Sequence, residues 1–166
     1  MLVIRCTQKL LKHKPGPSSD AEDDLQPALG NWHANLVRIN HWPIVLCVND
    51  FSLLSIILPG RDFPNFTVAF QNRLGMRLDR LGVPQERIAG ELAAIERTNV
   101  QPSNSKSVLG SMNDFVGHLR YGWDRFTPEE VTPWEDQLSQ TPMGALKYSY
   151  PVEVAFALLT ATGLTI

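Results

Sequence analysis

Runs of apolar residues predict the strands of this chain. Three β-rich runs follow one another between Trp32 and Leu58, and turn signals at Asn40 to Pro43 and at Asn49-Asp50 separate them. Short connections of this kind join antiparallel neighbours, so we predict a β-meander. The middle run, PIVLCVN, is apolar at successive positions, which is typical of a central strand covered on both faces. The runs LVIRC and IERTNVQ predict two further short strands.

After Gly60 the spacing of the apolar residues changes to three and four, which predicts helices. Apolar residues recur in this way from Phe63 to Leu81, and Gly82 is suited to cap the C-terminus of that helix. Pro84 opens a second helix. Ser105 or Ser107 caps a third, whose predicted buried stripe is Leu109, Met112, Val116, Leu119 and Trp123. With a short helix after Thr127 and a last helix through about Leu159, the pattern predicts an α+β fold in which an antiparallel β-meander packs against several α-helices.

The composition of the chain predicts a single domain over residues 1–166. This length suits one hydrophobic core, and 43% hydrophobic with 19% charged residues is the composition of an ordinary globular protein. The segment at about 13–30 differs, because it is rich in Pro, Gly, Ser and acidic residues. We therefore expect a mobile loop there.

The charge balance limits the classes of partner. Fifteen Lys and Arg against seventeen Asp and Glu give a net charge of -2, so nucleic-acid binding is not indicated by net charge. The N-terminus lacks the pattern of a signal peptide, and the most apolar stretch, VAFALLTATGLTI, is shorter than a membrane span. We expect a cytoplasmic protein with no membrane contact. Cys6 and Cys47 lie in predicted strands, and we expect both to be buried and reduced, with no metal site and no cofactor.

A polar cluster is predicted at the open end of the second and third strands. A loop centred on His41 and Trp42 sets a register in which His33 faces Asp50. Four polar side chains then gather there: His33, Asn35, Asn49 and Asp50. In the structural interpretation these groups satisfy one another's hydrogen bonds. In the catalytic one, a histidine beside a carboxylate acts as a general base.

The start of the third predicted helix is the second candidate site. Arg97 and Lys106 flank this helix start, and free backbone amides beside cations can hold an anion. Four serines surround it: Ser103, Ser105, Ser107 and Ser111. Ordinary N-capping explains the serines equally well. With the residues near the polar cluster, the candidate substrate- or anion-binding set is Lys9, Asn35, Asn49, Arg97, Ser107, Ser111, Asn113 and Asp114.

Several blocks of the sequence together resemble an uncharacterised bacterial family of unknown function. These blocks are Cys6-Thr7-x-Lys9-Leu10, Gly30-Asn-Trp-His-Ala-Asn-Leu36, Val48-Asn-Asp50, Ser107-Val-Leu-Gly-Ser-Met-Asn-Asp114 and the segment from Met143 to Pro151. The resemblance implies a bacterial or phage-related origin and a compact α+β domain. It implies no activity and no catalytic residues.

Two classes of function are compatible with this sequence. The first is a small binding or regulatory protein that recognises a macromolecular partner, most simply a protein, in a plasmid, phage or defence setting; no familiar enzyme motif is present, and exposed tryptophans can anchor such contacts. The second is a hydrolase or transferase acting on a phosphate-bearing substrate. In that hypothesis His33 is the base, Asp50 orients it, and the helix start near Ser107 holds the anion.

Overall fold

In the computed structural model, residues 1–17, 25–122, 127 and 129–161 are described. The strands are β1 (Leu2–Cys6), β2 (Trp32–Ile39), β3 (Trp42–Asn49), β4 (Ser55–Pro59) and β5 (Thr98–Pro102). The helices are α1 (Gln8–Leu11), α2 (Phe66–Arg80), α3 (Gln85–Ala94), α4 (Lys106–Tyr121), α5 (Thr132–Ser139) and α6 (Pro151–Thr160). Short 3₁₀ helices cover Gly60–Asn65 and Gly144–Leu146. The predicted α+β fold is confirmed.

The five strands form one mixed sheet in the order β4-β3-β2-β1-β5. The predicted antiparallel meander is present, because β3 pairs antiparallel with both β2 and β4. β1 lies between β2 and β5 and runs parallel to both. Each parallel pairing needs a long crossover, and the connection from β1 to β2 contains α1 and the segment at about 13–30. Residues 18–24 of that segment lie outside the described residues, so the expected mobile loop stays a prediction.

The register between β2 and β3 differs from the predicted one by two residues. His33 lies opposite Val48 rather than Asp50, and Ile39 pairs with Trp42. The turn therefore consists of Asn40 and His41, one position earlier than predicted. Asn40 has φ 58°, a backbone conformation that tight hairpin turns require and that asparagine tolerates better than most residues. Because side chains alternate with a period of two, this shift leaves every residue on its predicted face.

Two cores lie on opposite faces of the sheet. One is formed with α2, α3 and α6 and contains Trp32 and Cys47; the other is formed with α4 and α5 and contains Val37 and Leu46. β3 contributes apolar residues to both cores, as predicted for a central strand. Cys6 and Cys47 are free cysteines with buried side chains, so their expected burial is confirmed.

The outer strands have backbone amides that are bound by other parts of the chain. The amide of Ile57 in β4 donates to the Glu135 carboxylate at 2.9 Å. The amide of Val100 in β5 donates to the Pro17 carbonyl at 2.8 Å. These contacts reduce the number of groups open to pairing with another strand. Within the described residues, no helix has the length and apolarity to cross a membrane.

Candidate functional site

His33 and Asp50 form the first candidate site. His33 lies in β2, and Asp50 follows the last residue of β3. His33 Nδ1 lies 2.6 Å from Asp50 Oδ1, a strong hydrogen bond between diagonal neighbours of the sheet. The structure therefore brings these two groups together as predicted, although their register differs. The His33 side chain is 1% exposed and that of Asp50 is 20% exposed.

The tautomer of His33 follows from this contact. A carboxylate accepts hydrogen bonds, so Nδ1 carries a proton in this contact, and in the neutral imidazole Nε2 then keeps a free lone pair. Nε2 is buried and has no hydrogen-bond partner among the described residues. The pair has the electronic arrangement of a general base oriented by a carboxylate. Its basic nitrogen, however, has no contact with solvent.

Further polar residues extend from His33 across β1 and β5. Arg5 is the register partner of both His33 and Gln101, so these three side chains lie in one row on one face of the sheet. Arg5 Nη1 donates to Gln101 Oε1 at 2.9 Å. Two residues further along each strand direction, Thr7 Oγ1 donates to Asn35 Oδ1 at 2.8 Å. Sequence reasoning missed Arg5 and Gln101 because local pairing rules do not reach parallel neighbours that are far apart in the chain.

Asn49 does not join this group. It is the register partner of Trp32 and therefore belongs to the opposite face of the sheet from His33. Its amide nitrogen donates to two backbone carbonyls, and its Oδ1 accepts from the backbone amides of Phe51 and Ser52 and from the Ser52 hydroxyl. Asn49 is fully buried, and its hydrogen bonds hold the turn after β3.

The start of α4 is an ordinary capped helix terminus. Ser105 is the N-cap, and its hydroxyl accepts from the Val108 amide at 3.2 Å. Ser107 is exposed, whereas Ser111 is 6% exposed and faces the core.

One of the predicted cations, Arg97, lies away from this helix start. Arg97 precedes β5, at the end of that strand opposite to its connection with α4, and Lys9 is exposed on α1. The roles of these predicted residues stay predictions.

Asn113 and Asp114 line an open groove beside α4, which is the second candidate site. Its volume is about 670 Å³, within the range of ligand-binding clefts. α4 contributes Asn113, Asp114, Gly117, His118 and Tyr121, and the facing loop contributes Thr141, Pro142, Met143 and Gly144. Neither His33 nor Asp50 is among these lining residues. The two candidate sites are therefore distinct.

The groove exists because side chains are small where α4 faces the loop. A Cβ added to Gly117 meets no atom within 4 Å, and the same holds for Gly144 on the other wall. Tyr121 projects at one end with 94% of its surface exposed. The Asp114 side chain is exposed and makes no hydrogen bond or ion pair with any described residue. The groove thus offers a free carboxylate and an aromatic ring.

The loop that forms the second wall is held by its own hydrogen bonds. The Tyr148 amide donates to the Met143 carbonyl at 2.8 Å, and the Met143 amide donates to the Ser149 carbonyl at 3.2 Å. Lys147 and Tyr148 have φ of 53° and 62°. Met143 is 5% exposed and packs into the core below α4. This anchor fixes the wall relative to the helix.

A buried ionic network links α2 with α5 but has a structural role. Glu135 pairs with Arg73, and Arg77, which is 2% exposed, pairs with Asp136. Burial raises the pKa of Glu135 above its ordinary value, and the Arg73 guanidinium opposes this shift. All of these groups bind other parts of the chain. No cluster of three or more His, Cys, Asp or Glu able to hold a metal ion occurs within the described parts of the chain.

Fold and sites together define an α+β domain with a mixed sheet, a buried His-Asp pair and a separate surface groove. Residues 3–154 match the family model described as Domain of unknown function (DUF6933), and the chain belongs to that family. No match was found among curated proteins, and none among solved structures.

Proposed function

We propose that this protein is a binding protein that recognises a protein partner through the groove beside α4. The observation that carries the proposal is the combination of a preformed cleft, a free carboxylate at Asp114 and an almost fully exposed ring at Tyr121. Exposed aromatic residues are enriched at protein interfaces, where they bury a large area with little loss of side-chain entropy. A partner in a bacterial plasmid, phage or defence setting is the context we propose.

The open face of α4 supports this proposal independently. Gly110 and Gly117 are exposed in the interior of the helix, and a Cβ at either position meets no atom within 4 Å. A helical glycine costs about 1 kcal/mol relative to alanine. No contact of either glycine with the described residues requires this cost. Close approach of another molecule to the helix backbone gives a reason for it.

A pull-down from the native host tests the proposal. Gly117→Leu places a bulky side chain in the groove, and Gly90→Leu places the same side chain at an exposed, equally open position of α3. We expect wild type and Gly90→Leu to recover the same stoichiometric partner and Gly117→Leu to lose it. Equal recovery by Gly117→Leu, with both variants shown to be folded by circular dichroism, would refute recognition through this groove.

A hydrolase or transferase centred on His33 is the second candidate function. The observation in its favour is the 2.6 Å contact to Asp50 together with the unpartnered Nε2. Burial of the imidazole weighs against it, because a general base must come within about 3 Å of the proton it removes. Turnover of phosphate esters that Asp50→Asn abolishes, in a variant that stays folded, would establish the enzyme and displace the binding proposal.

A further inference from the structure

We infer that the α4 groove binds a basic side chain, arginine or lysine, from an extended segment of the partner protein. This inference rests on the proposed function and names the chemistry of the partner. Three observations carry it: the charge of the groove, the position of its aromatic ring and its length.

The charge of the groove favours a cation. Asp114 is the single carboxylate among the lining residues, and no described lysine or arginine lines the groove with it. The four ion pairs between described residues do not include Asp114. His118 lines the groove one turn after Asp114, but no lysine or arginine among the lining residues supplies a fixed positive charge beside the carboxylate. An anionic ligand would meet repulsion there, whereas a cation gains a charge-assisted hydrogen bond.

The aromatic ring of Tyr121, at the end of the groove, also favours a cationic ligand. Tyr121 follows Asp114 by seven residues and Gly117 by four, so all three belong to the same side of α4. The face of a tyrosine ring attracts the guanidinium of arginine or the ammonium of lysine. Gly117 lies between the carboxylate and the ring and leaves the path between them open.

The length of the groove indicates an extended segment. From Asn113 to Tyr121 the helix rises about 12 Å at about 1.5 Å per residue. An extended chain rises about 3.3 Å per residue, so about four residues fit along the groove. The side-chain amide of Asn113 and the hydroxyl of Thr141 line the same cleft and can bind the backbone of such a segment.

A peptide titration tests this inference on the full chain. The probe is acetyl-Gly-Gly-Arg-Gly-amide, and its matched control carries citrulline, which has the shape of arginine without the charge. Chemical shifts of the backbone amides of Gly117, His118 and Gly144 report binding in the ¹⁵N-labelled protein. We expect saturable shifts with the arginine peptide and a Kd for the citrulline peptide that is weaker by a factor of about three to five.

Variants assign the preference to individual groups. In Asp114→Asn, a neutral and similarly shaped substitution at an exposed position, the preference for the arginine peptide should fall to the part that the Tyr121 ring supplies. Tyr121→Ala should weaken binding of the arginine peptide by a factor of about three, whereas binding of the citrulline peptide should change less.

The outcomes separate this inference from the proposed function. Equal binding of both peptides to wild type, or no shift at the three reporter amides, overturns the inference that the groove binds a cation. If Gly117→Leu still loses the partner in the pull-down, partner recognition through the groove stands in spite of that failure. If Gly117→Leu keeps the partner while the arginine peptide binds, the groove has the chemistry inferred here but the proposed function is wrong.

Discussion

Replacing Gly117 with alanine is expected to stabilise the folded chain while weakening partner binding. The position is helical and exposed, and an added Cβ meets no atom within 4 Å. The methyl group therefore causes no clash, and the unfolded chain loses conformational freedom. The helix-propensity difference between glycine and alanine is about 1 kcal/mol, which sets the expected gain in the free energy of unfolding.

The matched control is Gly90→Ala in α3. Each glycine precedes the last residue of its helix by four positions, and neither has an atom near the added Cβ. The two substitutions should thus stabilise the chain to the same degree. They differ in that Gly117 lines the groove and Gly90 does not. We expect only Gly117→Ala to reduce recovery of the partner, because its methyl group narrows the cleft.

Urea unfolding measures the change in stability, and circular dichroism at 222 nm follows it because that signal reports helical backbone. With a slope of about 2 kcal/mol per molar, a gain of about 1 kcal/mol raises the midpoint by about 0.5 M. The reasoning fails if Gly117→Ala lowers the midpoint while Gly90→Ala raises it. That result means that the space beside Gly117 is occupied in solution, and the groove described above does not exist there.

Three further predictions concern buried groups. Glu135→Ala is expected to cost about 3 kcal/mol in the free energy of unfolding, because it removes the partner of Arg73; a loss below about 1 kcal/mol in urea unfolding contradicts this. Burial raises the pKa of Glu91 above its ordinary value of 4.5, so its contribution to stability is fully present below about pH 4.5 and is lost as pH rises through the folded-state pKa. Unfolding measured across pH should show this loss in wild type and a smaller loss in Glu91→Gln, in which Glu135 still titrates with its raised pKa. An undiminished loss in Glu91→Gln would disprove the assignment. Burial also raises the pKa of Cys6 to about 12 and that of Cys47 well above its ordinary value, so a thiol reagent at pH 8 should modify the chain only at the rate of unfolding.

Local sequence rules predicted the meander and the helices because these elements depend on neighbours in the chain. The alternation of apolar residues and the turn signals sufficed for β2, β3 and β4, and Ser105 is one of the two predicted caps of α4. The predicted hairpin register was wrong by two residues, because the turn can be centred on His41-Trp42 or on Asn40-His41 and the structure has the second. The positive φ of Asn40 decided between them, and composition alone does not reveal that choice.

The position of β1 could not be predicted from local rules. β1 pairs with two strands that lie far away in the chain, and short apolar runs carry no information about which partner they choose. This is why Arg5 and Gln101 were missed as neighbours of His33. The same limitation affected the α4 groove. Asn113 and Asp114 were candidates by their place in the helix, but their neighbours Thr141 and Gly144 come from a loop that periodicity does not position.

The sequence predicted the contact between His33 and Asp50 in spite of the register error. A shift of two residues moves Asp50 from the directly opposite position to the diagonal one, on the same face of the sheet. A histidine and an aspartate can bridge that diagonal, and here they do so at 2.6 Å. A shift of one residue would have placed the two side chains on opposite faces.

The most reactive group of this molecule is buried, whereas its accessible groove has no such group, and this arrangement favours binding over catalysis. The group best suited to remove a proton, Nε2 of His33, is buried, whereas the accessible groove at α4 contains a carboxylate and a ring but no activated nucleophile. To act on a substrate, His33 would have to become exposed while it keeps its bond to Asp50. Such an opening must move the covering groups away from a fully buried side chain in the middle of a five-strand sheet, and disrupting buried packing costs several kcal/mol. Partner recognition at the groove needs no such step, because its walls are already held apart by the helix and by the loop anchored at Met143. A crystal or solution structure of the bound complex in which the partner covers Arg5 and Gln101 beside His33, instead of the groove at α4, would reverse this order of preference.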